Sequence, residues 1–329
     1  MRTPGTRGGV ADNLERFGLL ILLVAVVIVF SVVRPGTFAT LSNAQTIMSS
    51  QSVLAVTALA LMIPLIAGRF DISVGANLGL SAIVAAAAMS RFGLPVWLAV
   101  VLGVLCGGLV GLFNGVLVSF LGINSIITTL GTATVIAGSI QAYTGGIPIS
   151  SHISSDLTDL SIVRLAGIPA LFVVMIVIAA VVWFLIQQAK IGRQWVAVGS
   201  NEQAAGLVGL AVRRILCSSF VVGGLLAGFA GVMSVASYGS GNPQVGGIPF
   251  ILPALAAVFL GVTAIQPGSY NVAGTLIALF FLSVVVSGLT LSGAQPWVTD
   301  VLNGSAVIVA VGLSAYFRRR RTGVAATGT

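Results

Sequence analysis

Asp71 has the most chemistry to offer in this sequence. It stands two positions from Arg69 and two from Ser73, with Asn77 one helical turn further on, in a chain of 329 residues with only seven acidic side chains. An ionisable group among long apolar runs is costly and usually functional. Two readings stay open: Asp71 neutralises Arg69, or it lines a polar cavity beside Ser73 and Asn77. No charged residue occurs from Phe92 to Ser155, nor from Ile215 to Thr299. Within the first of these deserts stand Asn114, Thr128 and Thr129. Hydroxyls and amides without charges bind through hydrogen bonds and not through ion pairs. Asp71, Ser73, Asn77, Asn114, Thr128 and Thr129 are therefore the expected lining of a polar path.

Other chemistries are absent from the pattern. There is no GxxxxGK[ST] phosphate loop, and Lys190, the single lysine, lacks that context. No HExxH or GxSxG occurs, and His152 is the only histidine. Cys106 and Cys217 fall inside apolar runs without metal-ligand spacing, as small buried side chains do. No metal site and no catalytic residue is expected. A proton-driven pump would bury a relay of carboxylates or histidines, and this chain has almost none. The sequence carries neither an enzyme's site nor an engine of its own.

A second stretch, residues 189–214, holds Lys190, Arg193, Arg213, Arg214 and Glu202 between two apolar runs. Its middle, Asn201 to Leu210, is rich in alanine and glycine and suits a short helix with a flat face for a partner's groove. Ala204 and Ala205, with Gly209 four residues beyond, share nearly one helix face. This loop reads as the handle by which a separate motor chain moves the protein.

The elements that must position these groups follow from composition. The chain is 57% hydrophobic and only 7% charged, with a mean hydropathy of +1.12; soluble domains carry roughly 25% charged residues. Helices of about 20 residues cross the hydrocarbon core. The apolar runs 17–33, 43–66, 74–90, 94–121, 124–143, 168–187, 215–236, 248–262, 270–291 and 297–317 predict about ten spans, an all-α polytopic membrane protein. Residues 1–16 and 318–329 flank a single membrane domain, 17–317, as short tails. The run at 17–33 is read as a retained span, since Arg34-Pro35 is no cleavage site. With both termini in the cytoplasm, twelve basic residues lie inside and three outside, a strong positive-inside bias. Gly103, Gly107, Gly111 and Gly115, and the pairs Gly75/Gly79 and Gly224/Gly228, predict close helix packing.

Four blocks in order resemble one family. Asp71-Ile72-Ser73-Val74-Gly75 resembles a GGIDLSVG signature. Thr129-Leu130-Gly131-Thr132, with Gly138 and Thr144-Gly145-Gly146-Ile147-Pro148, resembles TLGT…G…TGGxPI. Gly192-Arg193, Gly199-Ser200-Asn201-Glu202, Ala204-Ala205 and Gly209 resemble GR…AxGxNxxAAxxxGI, and Gln295-Pro296-Trp297 with Gly304 resembles the approach to a last helix. Over nearly its full length the chain is similar to the permease subunits of ribose/galactose-type sugar ABC importers. The resemblance implies a prokaryotic inner-membrane permease that imports a sugar or similar small polar solute by alternating access. It implies three partners: an ATP-binding cassette subunit that uses ATP and Mg, a second permease subunit (homo- or heterodimer), and an extracytoplasmic solute-binding protein. This chain would hold no cofactor and contact lipid but no nucleic acid. In such permeases Gly192, Arg193, Gly199, Asn201, Glu202, Ala204, Ala205 and Gly209 match the loop that docks on the ATPase. The alternative is an ATP-independent carrier or facilitator of the same bundle type. Two blocks depart from the family: Arg69 replaces its second glycine, and residues 261–274 replace a glycine-rich segment.

Overall fold

The computed structural model describes residues 10–322, with side chains for 16–247, 250–309 and 312. Nearly every apolar run is a helix: α1 Val10–Val33, α2 Leu41–Ile66, α3 Val74–Ser90, α4 Val96–Ser119 and α5 Ser125–Thr144. The polar segment that follows forms a short helix, α6 Ser155–Ile162, and an antiparallel hairpin of β1 Arg164–Leu165 and β2 Ile168–Pro169. Next come α7 Ala170–Gln187, then α8 Lys190–Ser200 and α9 Glu202–Leu207 inside the basic stretch, and α10 Val212–Tyr238. The chain ends with α11 Ile248–Gly261, α12 Val272–Leu291 and α13 Trp297–Thr322. Among the described residues, seven helices are long and apolar enough to cross a membrane. Three shorter apolar helices, Val74–Ser90, Phe250–Gly261 and Trp297–Val309, coincide with the other sequence-predicted spans. The predicted tails at 1–9 and 323–329 lie outside the described residues, and α13 runs on past the expected end at Phe317 to Thr322.

The chain divides into two compact units, residues 48–254 and residues 1–47 with 255–329. The centre of the first is a slab of α3, α4 and α10. Helix α4 runs antiparallel to α10, and the two touch along their glycines. A methyl placed on Gly107 would lie 2.6 Å from the Cα of Gly228, and one on Gly111 3.1 Å from the Cα of Gly224. One on Gly103 would lie 2.9 Å from Val232 Cγ2 and 3.2 Å from the Ser81 carbonyl of α3. The ladder read from the sequence is therefore the seam of the slab. In lipid, where tails compete with side chains for apolar contact, such backbone approach is what makes helices associate. Gly107→Val forces the helices apart, and overpacking of this kind costs about 1–3 kcal/mol or more. The expected result is a lowered melting temperature in detergent, by several degrees, with Gly131→Val on the open face of α5 as a neutral control.

The second unit packs α1 on α12, where Gly288 meets the ring of Phe30. Its atypical 261–274 segment is organised by Asn271, which is 4% exposed. The Asn271 amide donates to the carbonyls of Gly261 (3.3 Å), Ala264 (3.1 Å) and Ser269 (3.1 Å), while its Oδ1 accepts from Gly274 N–H at 2.7 Å. One side chain thus closes the end of α11 and caps the start of α12. The departure from the family pattern retains a self-contained turn.

Candidate functional site: a buried polar cluster and the α8–α9 corner

Helix α2 ends by a specific device. Gly68 is left-handed (φ 80°). Its N–H donates to Leu65 O, and the Arg69 N–H donates to Pro64 O, the two bonds of a Schellman stop. The turn delivers Asp71 to the start of α3. There its Oδ1 accepts from the Ser73 N–H (2.9 Å) and the Ser73 hydroxyl (2.6 Å). Ser73 Oγ in turn accepts from Asn114 Nδ2 at 2.8 Å, and Asn114 Oδ1 accepts from Thr132 Oγ1 at 2.7 Å. The Ile72 N–H donates to Thr129 Oγ1 at 3.0 Å. This chain ties the α2–α3 loop to α4 and α5, and each bond polarises the next.

All six residues expected on a polar path lie near this cluster, but they face inward. Asn114 and Thr129 are fully buried, and even Thr128 is only 8% exposed. Asp71, Ser73, Asn114 and Thr129 are hydrogen-bonded to one another or to their neighbours. Asn77 donates to the Gly107 carbonyl at 3.0 Å, leaving its Oδ1 without a partner among the described residues, as is the Thr128 hydroxyl. In this structure they form a closed knot. Thr132, which completes it, was legible in the TLGT block and missing from the expected set. An open cavity of about 460 Å³ lies beside the knot, lined instead by Ile72, Ala76, Thr134, Gln141, Gln244 and the backbone of 243–247, among others.

The pairing of Asp71 with Arg69 does not form. The Arg69 guanidinium turns to Glu202 of α9, with Nη2 2.6 Å from Oε2. Both groups are partly exposed, so the pair contributes only about 0–1 kcal/mol of stability. Its interest is positional, since it joins the α2–α3 loop to the basic stretch. Backbone packing reinforces the join: Gly199 lies against Ile66 and Ala67, and a methyl on Gly68 would stand 3.3 Å from the Cα of Gly199. Asp71 lies in the loop 67–73, outside the spanning helices. Burial pushes its carboxyl up to about 6, and the two bonds from Ser73 pull the other way.

The basic stretch forms two helices where the sequence predicts one short one. Helix α8 is seated by Trp195, fully buried, whose Nε1 donates to Ser218 Oγ at 3.0 Å. Gly192 packs on the backbone of Leu185 and Ile186, and Arg193 donates to Gln188 O at 2.9 Å. Asn201 caps α9, its Oδ1 accepting from the Ala204 N–H at 2.9 Å, and Glu202 in the first turn suits the helix dipole. Two of the expected docking residues have roles within this chain. Ala205 is 5% exposed and faces the interior of the protein. Gly209 has open space around it; it is required by its left-handed φ of 83°, in a second Schellman stop with Gly209 N–H to Gly206 O and Leu210 N–H to Ala205 O. Every residue of α9 except Ala205 is exposed, and its apolar end is formed by Leu207 and the following Val208, 89% and 78% exposed.

Residues 43–311 match the family described as branched-chain amino acid transport system / permease component. The chain belongs to this permease family. It is similar to the D-allose transport system permease of Escherichia coli K12, 29% identical over 91% of both chains. The ribose import permease of Haemophilus influenzae is 31% identical over 90% of both. The autoinducer 2 import system permease of E. coli K12 is 30% identical, over 81% of this chain and 82% of that one. No solved structure matches. The resemblance to sugar permeases drawn from the four sequence blocks is borne out, and the chain is a multi-pass membrane permease.

Proposed function

We propose that this permease is the membrane subunit of an ATP-binding-cassette importer for a sugar or a similar small neutral polyol. The observation that carries the reading is the α8–α9 corner. It rests on the end of α2 through Gly199, is tied to the α2–α3 loop through Glu202 and Arg69, and leaves Leu207 and Val208 uncovered. Force applied to α9 by a partner passes directly into the loop that carries the Asp71–Ser73–Asn114–Thr132 knot, and so to α3, α4 and α5. Packed helices of this kind switch between discrete arrangements and do not deform continuously. The ATPase subunit, with its ATP and Mg, supplies that force. A second permease subunit completes the path, and an extracytoplasmic binding protein delivers the solute. Ten spans, with both termini and the 189–214 loop in the cytoplasm of a prokaryotic inner membrane, are in keeping with the basic-residue count. The relatives are named for D-allose, ribose and autoinducer 2, and an uncharged solute is in keeping with a chain almost free of intramembrane charge.

The test is co-purification and topology together. The chain co-expressed with its cognate cassette ATPase should retain that ATPase in mild detergent. In intact cells, a cysteine at Ser200 should resist a membrane-impermeant thiol reagent, while one at Ser155 should react. Labelling at Ser200 from outside, or a permease that purifies without ATPase, refutes the reading.

A further inference from the structure

Between α10 and α11 the chain is not helical. Residues 240–247 pass along α3 through turns and bends, and glycines on both sides admit the close approach. A methyl on Gly241 would lie 2.6 Å from Ala86 Cβ, one on Gly79 2.6 Å from the Val245 carbonyl, and one on Gly75 2.7 Å from the Gly247 carbonyl. The depth of this segment can be read from α4. Asn77 donates to Gly107 O, and Gly103 lies against Ser81, so Gly79 and Val245 are level with residues 103–107, the middle of the spanning helix Val96–Ser119. Irregular backbone at mid-membrane depth is tolerated only where it is buried in protein or lines a water-filled cavity. Here it lines the cavity of about 460 Å³ beside α5.

The lining has a definite chemistry. Ala76, Ala133, Ala137 and Ile140 give apolar walls, and Thr134, Gln141 and Gln244 give the polar side chains. No carboxylate and no cation borders it. The side-chain amides of Gln141 and Gln244 have no hydrogen-bond partner among the described residues, nor do the N–H groups of Gly246 and Gly247. Along α5 the cavity extends from Leu130 to Gln141, about 16 Å at 1.5 Å per residue, or roughly half the hydrocarbon thickness of about 30 Å. Its volume falls within the range of about 300–1,000 Å³ typical of small-molecule sites.

We infer that this cavity is the solute's station at mid-membrane, binding a neutral polyol between the Gln141 and Gln244 amides and the broken 243–247 backbone. Each primary amide offers donors and an acceptor, which matches vicinal hydroxyls and discriminates against ions. The alanine walls receive the C–H faces of the sugar ring. The inference rests on the proposed importer function and locates its site beside the Asp71 knot and not within it.

The experiment has two arms on the full chain. In the first, Cys106 and Cys217 are replaced by alanine and a single cysteine is introduced at Ala137, or at exposed Leu109 of α4 as control. A thiol reacts as the thiolate, which needs water. A water-soluble methanethiosulfonate should modify Ala137→Cys at least tenfold faster than Leu109→Cys; equal rates would show a dry groove and overturn the site. In the second, Gln141→Leu with Gln244→Leu in proteoliposomes bearing the ATPase should raise the KM for D-ribose or D-allose uptake at least tenfold, with bound ATPase unchanged. An unchanged KM overturns the site equally. The labelling arm needs no ATPase, so a failure of the importer reading, seen as absent ATPase, is distinguishable from a failure of the cavity.

Discussion

Leu207→Asp combined with Val208→Asp should leave the permease folded and inserted but strip it of its ATPase. Both side chains are largely exposed on the free face of α9, and substitutions on such surfaces change stability by only about 0.5 kcal/mol. The same two carboxylates in a partner's groove would be buried without counter-charges, at a cost of several kcal/mol, which is about a thousandfold in affinity. The expected outcome is a normal melting temperature and normal yield, with co-purified ATPase and solute uptake both reduced to background. Ala205→Glu is the informative contrast. Ala205 is buried within this chain, so a glutamate there should lower the melting temperature before it reports on any partner. Retention of ATPase by the Leu207/Val208 double mutant would remove α9 as the docking element.

The apolar runs made the helices legible, because a 15- to 28-residue stretch with at most one charged residue has few other structures open to it. The glycine ladder of α4 was legible for the same kind of reason: a four-residue repeat of the smallest residue on one face has a packing consequence and little else. The facing of the polar residues was not. Asp71, Ser73, Asn77, Asn114, Thr128 and Thr129 differ from solvent-facing groups only in what surrounds them, and that is set by contacts among α3, α4 and α5 far apart in sequence. The roles of Gly209 and Ala205 within this chain were not legible for a related reason. A small residue in a short helix serves a tight contact, an inward face or a left-handed stop, and its identity alone does not separate the three. The cavity was missed because its polar groups come from α5 and from the 240–247 stretch, whose path along α3 no local pattern announces. The available signal is Gln141, an amide within the uncharged stretch from Phe92 to Ser155.

Asp71→Asn should make the protein more stable and less active. In the folded state the carboxyl is buried with no cation near it among the described residues, because Arg69 is engaged by Glu202. Burial raises it from 3.8 to about 6. The folded protein therefore holds that proton to higher pH than the unfolded chain does, and stability falls as pH rises from about 4 to about 6 and then levels off. The shift of about 2 units corresponds to at most about 3 kcal/mol. Asparagine keeps an oxygen where Asp71 Oδ1 accepts both Ser73 bonds, and carries no desolvated charge. At pH 7.5 the variant should melt several degrees above wild type, and the difference should vanish near pH 4. A carboxylate buried at such a cost, in the loop that links α9 to the α3–α5 knot, points to a part in the cycle. Uptake by Asp71→Asn should accordingly fall at least tenfold with ATPase binding intact. Normal uptake by the stabilised variant would reduce Asp71 to a structural acceptor, leaving the knot as a tie between helices with no part in switching them.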